Sequence, residues 1–113
     1  MKTERAYLEH IQHCIQRIVE DSSGGKESVF ASPTLQDAIL RNLQILCEST
    51  QRLTEASKRR HPEVGWREIS GLRNVLVHDY FAVDLETIWV IIQRDLPRLE
   101  LAVRGMLEEP STT

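Results

Sequence analysis

Apolar side chains recur at steps of three and four residues along most of the chain, which is the spacing of one buried face of an α-helix. The first such stretch runs from Ala6 to Val19 and is followed by a loop, rich in serine and glycine, that continues to about Ser32. The second begins at Ser32-Pro33, an N-cap followed by a proline suited to the first helical turn, and continues for about seven turns to Arg60. The pattern therefore predicts two amphipathic helices, of which the second is the longer.

The rest of the pattern predicts two further helices separated by a brief connection. A third helix runs from about Trp66 to about His78 and should bury its apolar stripe. Asp84 is a suitable N-cap for a fourth helix, which Pro97 should kink about midway. The residues after Gly105 should fray.

Four helices joined by short links predict an all-α fold, an antiparallel four-helix up-and-down bundle. We expect one domain over residues 1–109 and a flexible C-terminal tail over 110–113. Composition agrees, because a chain of 113 residues with 41% apolar and 27% charged residues can bury one core without a disulfide or a metal.

Charge and cysteine content narrow the classes of function. The chain has 14 Lys and Arg against 17 Asp and Glu, so any anion-binding site must be local rather than a property of the net charge of −3. Cys14 and Cys47 lie within apolar stretches and are interpreted as core residues in a reducing compartment, with the cytoplasm as the default location. No stretch resembles a signal peptide or is long enough to span a bilayer, so we expect no membrane association.

One asparagine and one stripe of residues do not fit the division of each predicted helix into an apolar face and a solvent-exposed polar face. Asn42 lies on the apolar stripe of the second helix, where it could fix helix register by hydrogen bonding or support a nearby site. The third helix carries a separate stripe at spacings of four, three and four residues: Arg67, Gly71, Asn74 and His78. Within that stripe, glycine would let another backbone or a substrate approach closely.

The end of the third helix carries an Arg-x4-His-x-Tyr pattern within the segment Arg73-Asn74-Val75-Leu76-Val77-His78-Asp79-Tyr80. This segment resembles the signature of HEPN-domain toxins, in particular the HepT-like group of bacterial and archaeal HEPN/MNT toxin–antitoxin modules. Further blocks are similar to that group in order and spacing, at 36–43, 61–72, 83–85 and 95–97. The resemblance covers nearly the whole chain.

The resemblance implies a homodimeric, metal-independent endoribonuclease in which the Arg73 and His78 motifs of two protomers face each other across a cleft. It also implies that a cognate MNT-type nucleotidyltransferase antitoxin adds AMP from ATP to Tyr80 and thereby switches the toxin off. The expected partners are a second copy of the chain, this antitoxin and an RNA substrate, and no cofactor is implied.

The chemistry of these residues is compatible with that role. Arg73 and His78 are about 140° apart around an ideal helix, so both can contact one substrate only if the helix ends nearby or a second chain completes the site. An imidazole can accept the proton of a 2′-hydroxyl and later return it, whereas a guanidinium stabilises the charge that grows on the phosphate. Asn74 could hold the imidazole tautomer or donate to the phosphate.

Several other residues allow two interpretations. Arg59 and Arg60, together with Arg67, could supply a local basic surface for RNA, although cations at the end of a helix also stabilise its dipole. Without the family resemblance, Tyr80 could simply pack at the end of the third helix.

His10, His13 and Cys14 have helical spacings that could bring two of them onto a metal, but they lack a full ligand set, and no metal site is predicted. Two alternatives to a nuclease stay open. The chain could be a non-catalytic HEPN subunit that docks a minimal nucleotidyltransferase or a nucleotide, or an unrelated structural bundle.

Overall fold

The computed structural model describes residues 3–79 and 82–109, and in those two segments it contains helices and no strand. The all-α fold predicted from the hydrophobic pattern is confirmed. The helices are α1 Glu4–Asp21, α2 Lys26–Phe30, α3 Pro33–Thr50, α4 Glu55–Arg59, α5 Trp66–His78, α6 Leu85–Val90, a π-helical segment Ile91–Asp95, and α7 Leu96–Glu108. None of the described helices combines the length and the apolar character needed to cross a bilayer.

The core lies where α1 meets α3 on one side and α7 on the other, while α5 packs against α3. Burying one aliphatic side chain stabilises a fold by roughly 1.5–3 kcal/mol. The buried side chains of α1, α3 and α7 therefore provide most of the stability of this fold. The most completely buried aliphatic residues all belong to them: Ile11, Ile15, Ile18, Ile39, Leu43, Leu46, Leu99 and Val103.

The loop predicted after the first helix contains the short helix α2. Gly25 precedes it with a φ of 95°, a conformation that suits glycine because residues with a Cβ atom rarely adopt it. Val29 is buried against the core and fixes α2 in place. A single turn of helix is too short to show a periodic pattern, which explains why the sequence predicted only a loop.

The prediction of one long second helix was wrong, because the chain breaks after α3. The hydroxyl of Thr50 donates to the carbonyl of Cys47 at 2.7 Å, a local hydrogen bond that competes with helix continuation. After three residues of turn, Thr54 caps α4, where its Oγ1 accepts from the backbone N–H of Ser57 at 3.1 Å. Leu53, within the turn, is buried, so the apolar pattern continues through the break and hides it.

Helix α5 has the predicted bounds, but its apolar stripe is less buried than expected. Leu76 is buried, whereas Trp66, Ile69 and Leu72 are half-buried. The indole N–H of Trp66 donates to the carbonyl of His61 at 3.0 Å and to a second carbonyl at 3.1 Å, which anchors the start of the helix to the preceding turn. The helix is therefore held firmly at its first residue and presents much of its length to solvent.

The fourth predicted helix corresponds to α6, the π-helical segment and α7, which follow one another without an intervening loop. Asp84 caps it as predicted, since its Oδ1 accepts from the backbone N–H of Glu86 at 3.2 Å. The irregularity expected at Pro97 takes the form of the π-helical turn just before it, which contains Gln93, the residue whose carbonyl the proline ring would otherwise meet. The expected fraying after Gly105 was wrong, because α7 continues to Glu108. The predicted tail at 110–113 lies outside the described residues.

Candidate functional site

The polar stripe of α5 is open surface on this chain. Arg67, Asn74 and His78 are all exposed, and a Cβ atom built on Gly71 would have no contact within 4 Å. The close approach that Gly71 permits is therefore not used within the described part of the chain. The stripe is available to a second molecule.

Apolar groups accompany this stripe near the end of α5. Val75 and Val77 each expose 39% of their surface, in a helix whose one fully buried residue is Leu76. Residues two apart do not share a helical face, so the two valines flank the polar stripe on opposite sides and the exposed surface of α5 mixes apolar and polar groups.

Arg73 lies on a different flank of α5 and is half-buried. Its Nη1 donates to Oδ1 of Asn74 at 3.2 Å, which orients the guanidinium. Its Nε is buried and has no hydrogen-bond acceptor among residues 3–79 and 82–109. A buried N–H without an acceptor costs about 1–3 kcal/mol, and because this atom is covered, a ligand reaches it only if the side chain moves.

The side chain of Arg73 lines a groove of about 610 Å³ between α1, the end of α3 and α5. His78 is not among the residues that line this groove, and it is exposed at the last position of α5. The two motif residues thus face different directions, as their separation around the helix predicts. The other residues that line the groove are Tyr7, His10, Ile45, Glu48, Ser49, Gln51 and Arg52.

The two asparagines of the predicted site differ in what they contact. Asn74 accepts a hydrogen bond from Arg73, so its observed contact is with the guanidinium rather than with the imidazole. Asn42 is half-buried, and its Nδ2 donates to the carbonyl of Ala38, one turn earlier on the same helix, at 3.0 Å. That bond satisfies the amide within α3, and a supporting role for Asn42 at the site stays a prediction.

The three arginines predicted to bind RNA differ in their surroundings. Arg60 forms an ion pair with Glu109, with Nη2 and Oε2 3.1 Å apart, and also donates to Oγ of Ser57 at 3.2 Å. Arg59 is exposed beside it at the end of α4. Arg67 instead lies at the start of α5, where it lines a groove that is not lined by Arg59, Arg60 or Arg73.

The sequence did not predict a second groove, of about 830 Å³, which lies between the start of α5 on one side and the π-helical segment and the start of α7 on the other. Arg67 lines it together with Arg94 and Arg98, and the half-buried Trp66 and Ile91 contribute apolar surface. The spacing of four between Arg94 and Arg98 places both on one helical face, but that spacing alone carries no information about a partner helix.

The two cysteine thiols are unsuited to nucleophilic attack or to metal binding. Burial raises the pKa of the Cys47 thiol to about 12, and the carboxylate of Glu48 adds to that shift. Burial also raises the pKa of Cys14, although the charge of Arg17 opposes it in part. Both thiols stay protonated near neutral pH and are therefore poor nucleophiles and poor ligands. Among the described residues, no cluster of three or more histidine, cysteine or carboxylate side chains is arranged to hold a metal.

Tyr80, the predicted site of AMP addition, lies outside the described residues. Its neighbour Asp79 is the C-cap residue of α5, and the backbone N–H of Asp79 donates to the carbonyl of Val75 at 2.8 Å. In the sequence, the motif tyrosine comes two residues after His78, the last residue of α5.

Comparisons with known proteins identify the family. The family model described as Ribonuclease HepT-like matches residues 11–106 of the chain. The chain belongs to the HepT-like ribonuclease family. It is 36% identical over 110 residues to the protein named “Putative RNase TTE0752” of Caldanaerobacter subterraneus subsp. tengcongensis, an alignment that covers 96% of this chain and 98% of that protein. It is 33% identical over 100 residues to the “Probable ribonuclease HepT” of Thermococcus cleftensis, covering 88% of this chain and 91% of that one.

No solved structure matches the chain. Membership of the HepT-like family supports a ribonuclease function, and the resemblance inferred from the motif segment is confirmed. The roles of individual residues do not follow from membership alone and are argued below.

Proposed function

We propose that this HepT-like chain is the toxin of a HEPN/MNT type toxin–antitoxin module and that it cleaves RNA as a metal-independent endoribonuclease. Membership of the family supports cleavage of RNA, and the orientation of Arg73 supports a phosphate-binding role for that residue. A guanidinium that is oriented by Asn74 and lines an open groove is suited to a phosphate oxygen.

In the proposed reaction, the imidazole of His78 accepts the proton of a ribose 2′-hydroxyl. The 2′-oxygen then attacks the adjacent phosphorus, and a 2′,3′-cyclic phosphate forms as the bond to the 5′-oxygen breaks. The imidazolium returns its proton to that leaving oxygen, so the histidine ends in its starting state. The guanidinium of Arg73 stabilises the negative charge on the phosphate oxygens in the transition state.

The single observation that carries the composite form of this site is the divergence of Arg73 and His78. The guanidinium lines the groove beside α1 and α3, whereas the imidazole is exposed at the last position of α5. One phosphate can meet both groups most simply when a second protomer brings its own motif to the first. The open surface around Gly71 and Val75 supports such self-association.

We further propose that the antitoxin is a minimal nucleotidyltransferase that adds AMP to Tyr80. Tyr80 is two residues from His78 and follows the end of α5, so an added phosphate would place negative charge beside the proposed phosphate site. Like-charge repulsion and bulk would then exclude RNA.

Cleavage of total cellular RNA by the purified chain in excess chelator tests the ribonuclease. Wild type should cut RNA under these conditions, and Arg73→Ala and His78→Ala should each lose activity by roughly 10²–10⁴-fold while retaining their thermal unfolding temperature. His13→Ala is the matched control, because His13 is an exposed histidine on α1 that does not line the groove.

A wild-type chain that is free of modification, folded and inactive would contradict the proposal and favour a non-catalytic subunit that docks the nucleotidyltransferase. Cleavage that continues in His78→Ala at the wild-type rate would contradict the assigned base.

Intact-mass measurement after incubation with ATP and the antitoxin tests the switch. Wild type should gain AMP units, and Tyr80→Phe should gain none. The chain has two tyrosines, so Tyr7→Phe is the matched control and should still gain AMP. An unchanged mass for wild type would contradict AMP addition.

A further inference from the structure

We propose that the groove beside Arg73 holds the RNA strand next to the scissile phosphate, with Arg52 binding a neighbouring phosphate and His10 contacting the adjoining nucleotide. This inference rests on the proposed ribonuclease function and extends the site to α1 and to the turn after α3. Neither residue belongs to the Arg-x4-His-x-Tyr pattern.

The first argument is that Arg52 and the motif arginine, Arg73, line the same groove. Arg52 lies in the turn that separates α3 from α4, and it lines the groove together with Arg73 of α5. The break in the second predicted helix is what places it there, because an uninterrupted helix would give Arg52 a different direction. Two guanidinium groups on one groove are suited to successive phosphates of a strand.

The second argument is that both cations retain donors for a ligand. The side chain of Arg52 is exposed and forms no ion pair or hydrogen bond with any part of the chain that the structure describes. Arg73 uses Nη1 for Asn74, and its Nη2 forms no hydrogen bond with any described residue, so the guanidinium that lines the groove keeps a donor for a ligand. By contrast, Arg60 has its guanidinium engaged by Glu109 and Ser57.

The third argument is the shape of the groove and the groups on its α1 wall. Its volume of about 610 Å³ falls within the range of roughly 300–1,000 Å³ that is usual for small-ligand sites, so it has room for part of a nucleic-acid strand. His10 is half-buried on that wall and offers a flat ring and an N–H to a base or a phosphate.

A carboxylate among the groups that line the groove would repel an anion. The inference can therefore be tested by removing a negative charge as well as by removing a positive one. Glu48 is the carboxylate that lines the groove, and it accepts a hydrogen bond from Nε2 of Gln44 at 3.1 Å on the same helix. Its negative charge should weaken phosphate binding in the groove. Neutralising Glu48 should therefore strengthen RNA binding, whereas neutralising Arg52 should weaken it.

The experiment measures binding of a short single-stranded oligonucleotide that carries 2′-O-methyl groups, which cannot be cleaved through a 2′-hydroxyl. Arg52→Gln should raise its dissociation constant about tenfold, His10→Ala should raise it several-fold, and Glu48→Gln should lower it. Arg52→Gln should also reduce the slope of log K against log salt by about 0.7, the value for one phosphate contact with a single strand. Arg104→Gln is the matched control, because Arg104 is an exposed arginine on α7 that lines neither groove.

The same comparison in a His78→Ala background separates binding from catalysis. If Arg52→Gln still weakens the affinity for the oligonucleotide there, the groove is confirmed as a binding surface that does not depend on the imidazole. If wild type cleaves RNA and Arg52→Gln binds and cleaves like Arg104→Gln, the groove inference is overturned and the ribonuclease stands. If wild type neither binds the oligonucleotide nor cleaves RNA, both proposals are overturned.

Discussion

Helices α1 and α5 are both amphipathic, but the structure uses them in different ways. α1 buries five side chains, Leu8, Ile11, Cys14, Ile15 and Ile18, between α3 and α7. α5 buries one, Leu76, and leaves small, polar and apolar groups on its surface. The comparison teaches that stability is concentrated in α1 and its two neighbours, which leaves α5 free to present reactive groups.

The largest effect on stability should follow from a cavity in the α1 core. Ile11→Ala should lower the free energy of unfolding by about 2–5 kcal/mol, because Ile11 is completely buried. Val77→Ala on α5 is the matched truncation and should change it by less than about 1 kcal/mol. Urea denaturation measures both. Equal losses would contradict the division between the two helices.

The next effect concerns self-association through α5. Gly71→Arg should weaken dimerisation at least about tenfold, because a long charged side chain would occupy the space that glycine leaves open. Leu101→Arg on α7 is the control, since Leu101 is 66% exposed on a helix that we do not place in the interface. Sedimentation equilibrium measures the dissociation constants. A dimer that tolerates Gly71→Arg but not Leu101→Arg would place the contact on α7 instead.

Two glycines should respond to alanine with opposite signs. Gly25→Ala should lower the free energy of unfolding by about 1–2 kcal/mol, because its φ of 95° is strained for any residue with a Cβ atom. At concentrations where the chain is monomeric, Gly71→Ala should raise it by up to about 1 kcal/mol, because Gly71 is in a helix interior and its added methyl group meets no atom of the described chain. In chemical denaturation, a gain of stability for Gly25→Ala would contradict the backbone assignment at Gly25, and a loss for Gly71→Ala would contradict the open space at Gly71.

The smallest effect is a pH dependence at the end of α7. Hydrogen bonding from His61, at 3.0 Å, lowers the pKa of Glu109 below its ordinary value of 4.5, with a further contribution from Arg60. A depressed carboxyl pKa stabilises the fold above the unfolded value, and this contribution is lost as the pH falls below 4.5 through the folded value.

Glu109→Gln should therefore lower the free energy of unfolding by less than about 1 kcal/mol near neutral pH and reduce the loss of stability in acid. Glu108→Gln, an adjacent exposed carboxylate, is the control and should change neither. If the two variants show the same acid dependence in thermal unfolding, the contact with His61 contributes nothing to stability.

Much of the fold was predictable, because periodicity reports burial directly. The N-caps at Ser32 and Asp84 and both bounds of α5 agree with the structure. The break after Thr50 was not predictable, since the buried Leu53 continues the apolar pattern through the turn. A local hydrogen bond decides that break, and periodicity does not detect it.

The candidate site was predictable only in part. The motif identified Arg73 and His78 as residues on one helix, and their angular separation anticipated that they face apart. The groove was not visible, because Arg73, His10 and Arg52 are far apart in the sequence and come together only through the packing of three helical regions. Pairwise spacing describes one helix at a time and cannot report such tertiary contacts.

Subunit mixing tests the central claim most directly, namely that a second protomer completes the site. Arg73→Ala and His78→Ala are each purified, mixed under conditions that exchange subunits, and assayed for RNA cleavage in chelator, with mixed dimers quantified by native mass spectrometry. We predict that each variant alone is inactive and that the mixture regains a substantial fraction of wild-type cleavage, because one protomer supplies the intact guanidinium and the other the intact imidazole. Mixed dimers that are abundant yet as inactive as the separate variants would contradict the composite site.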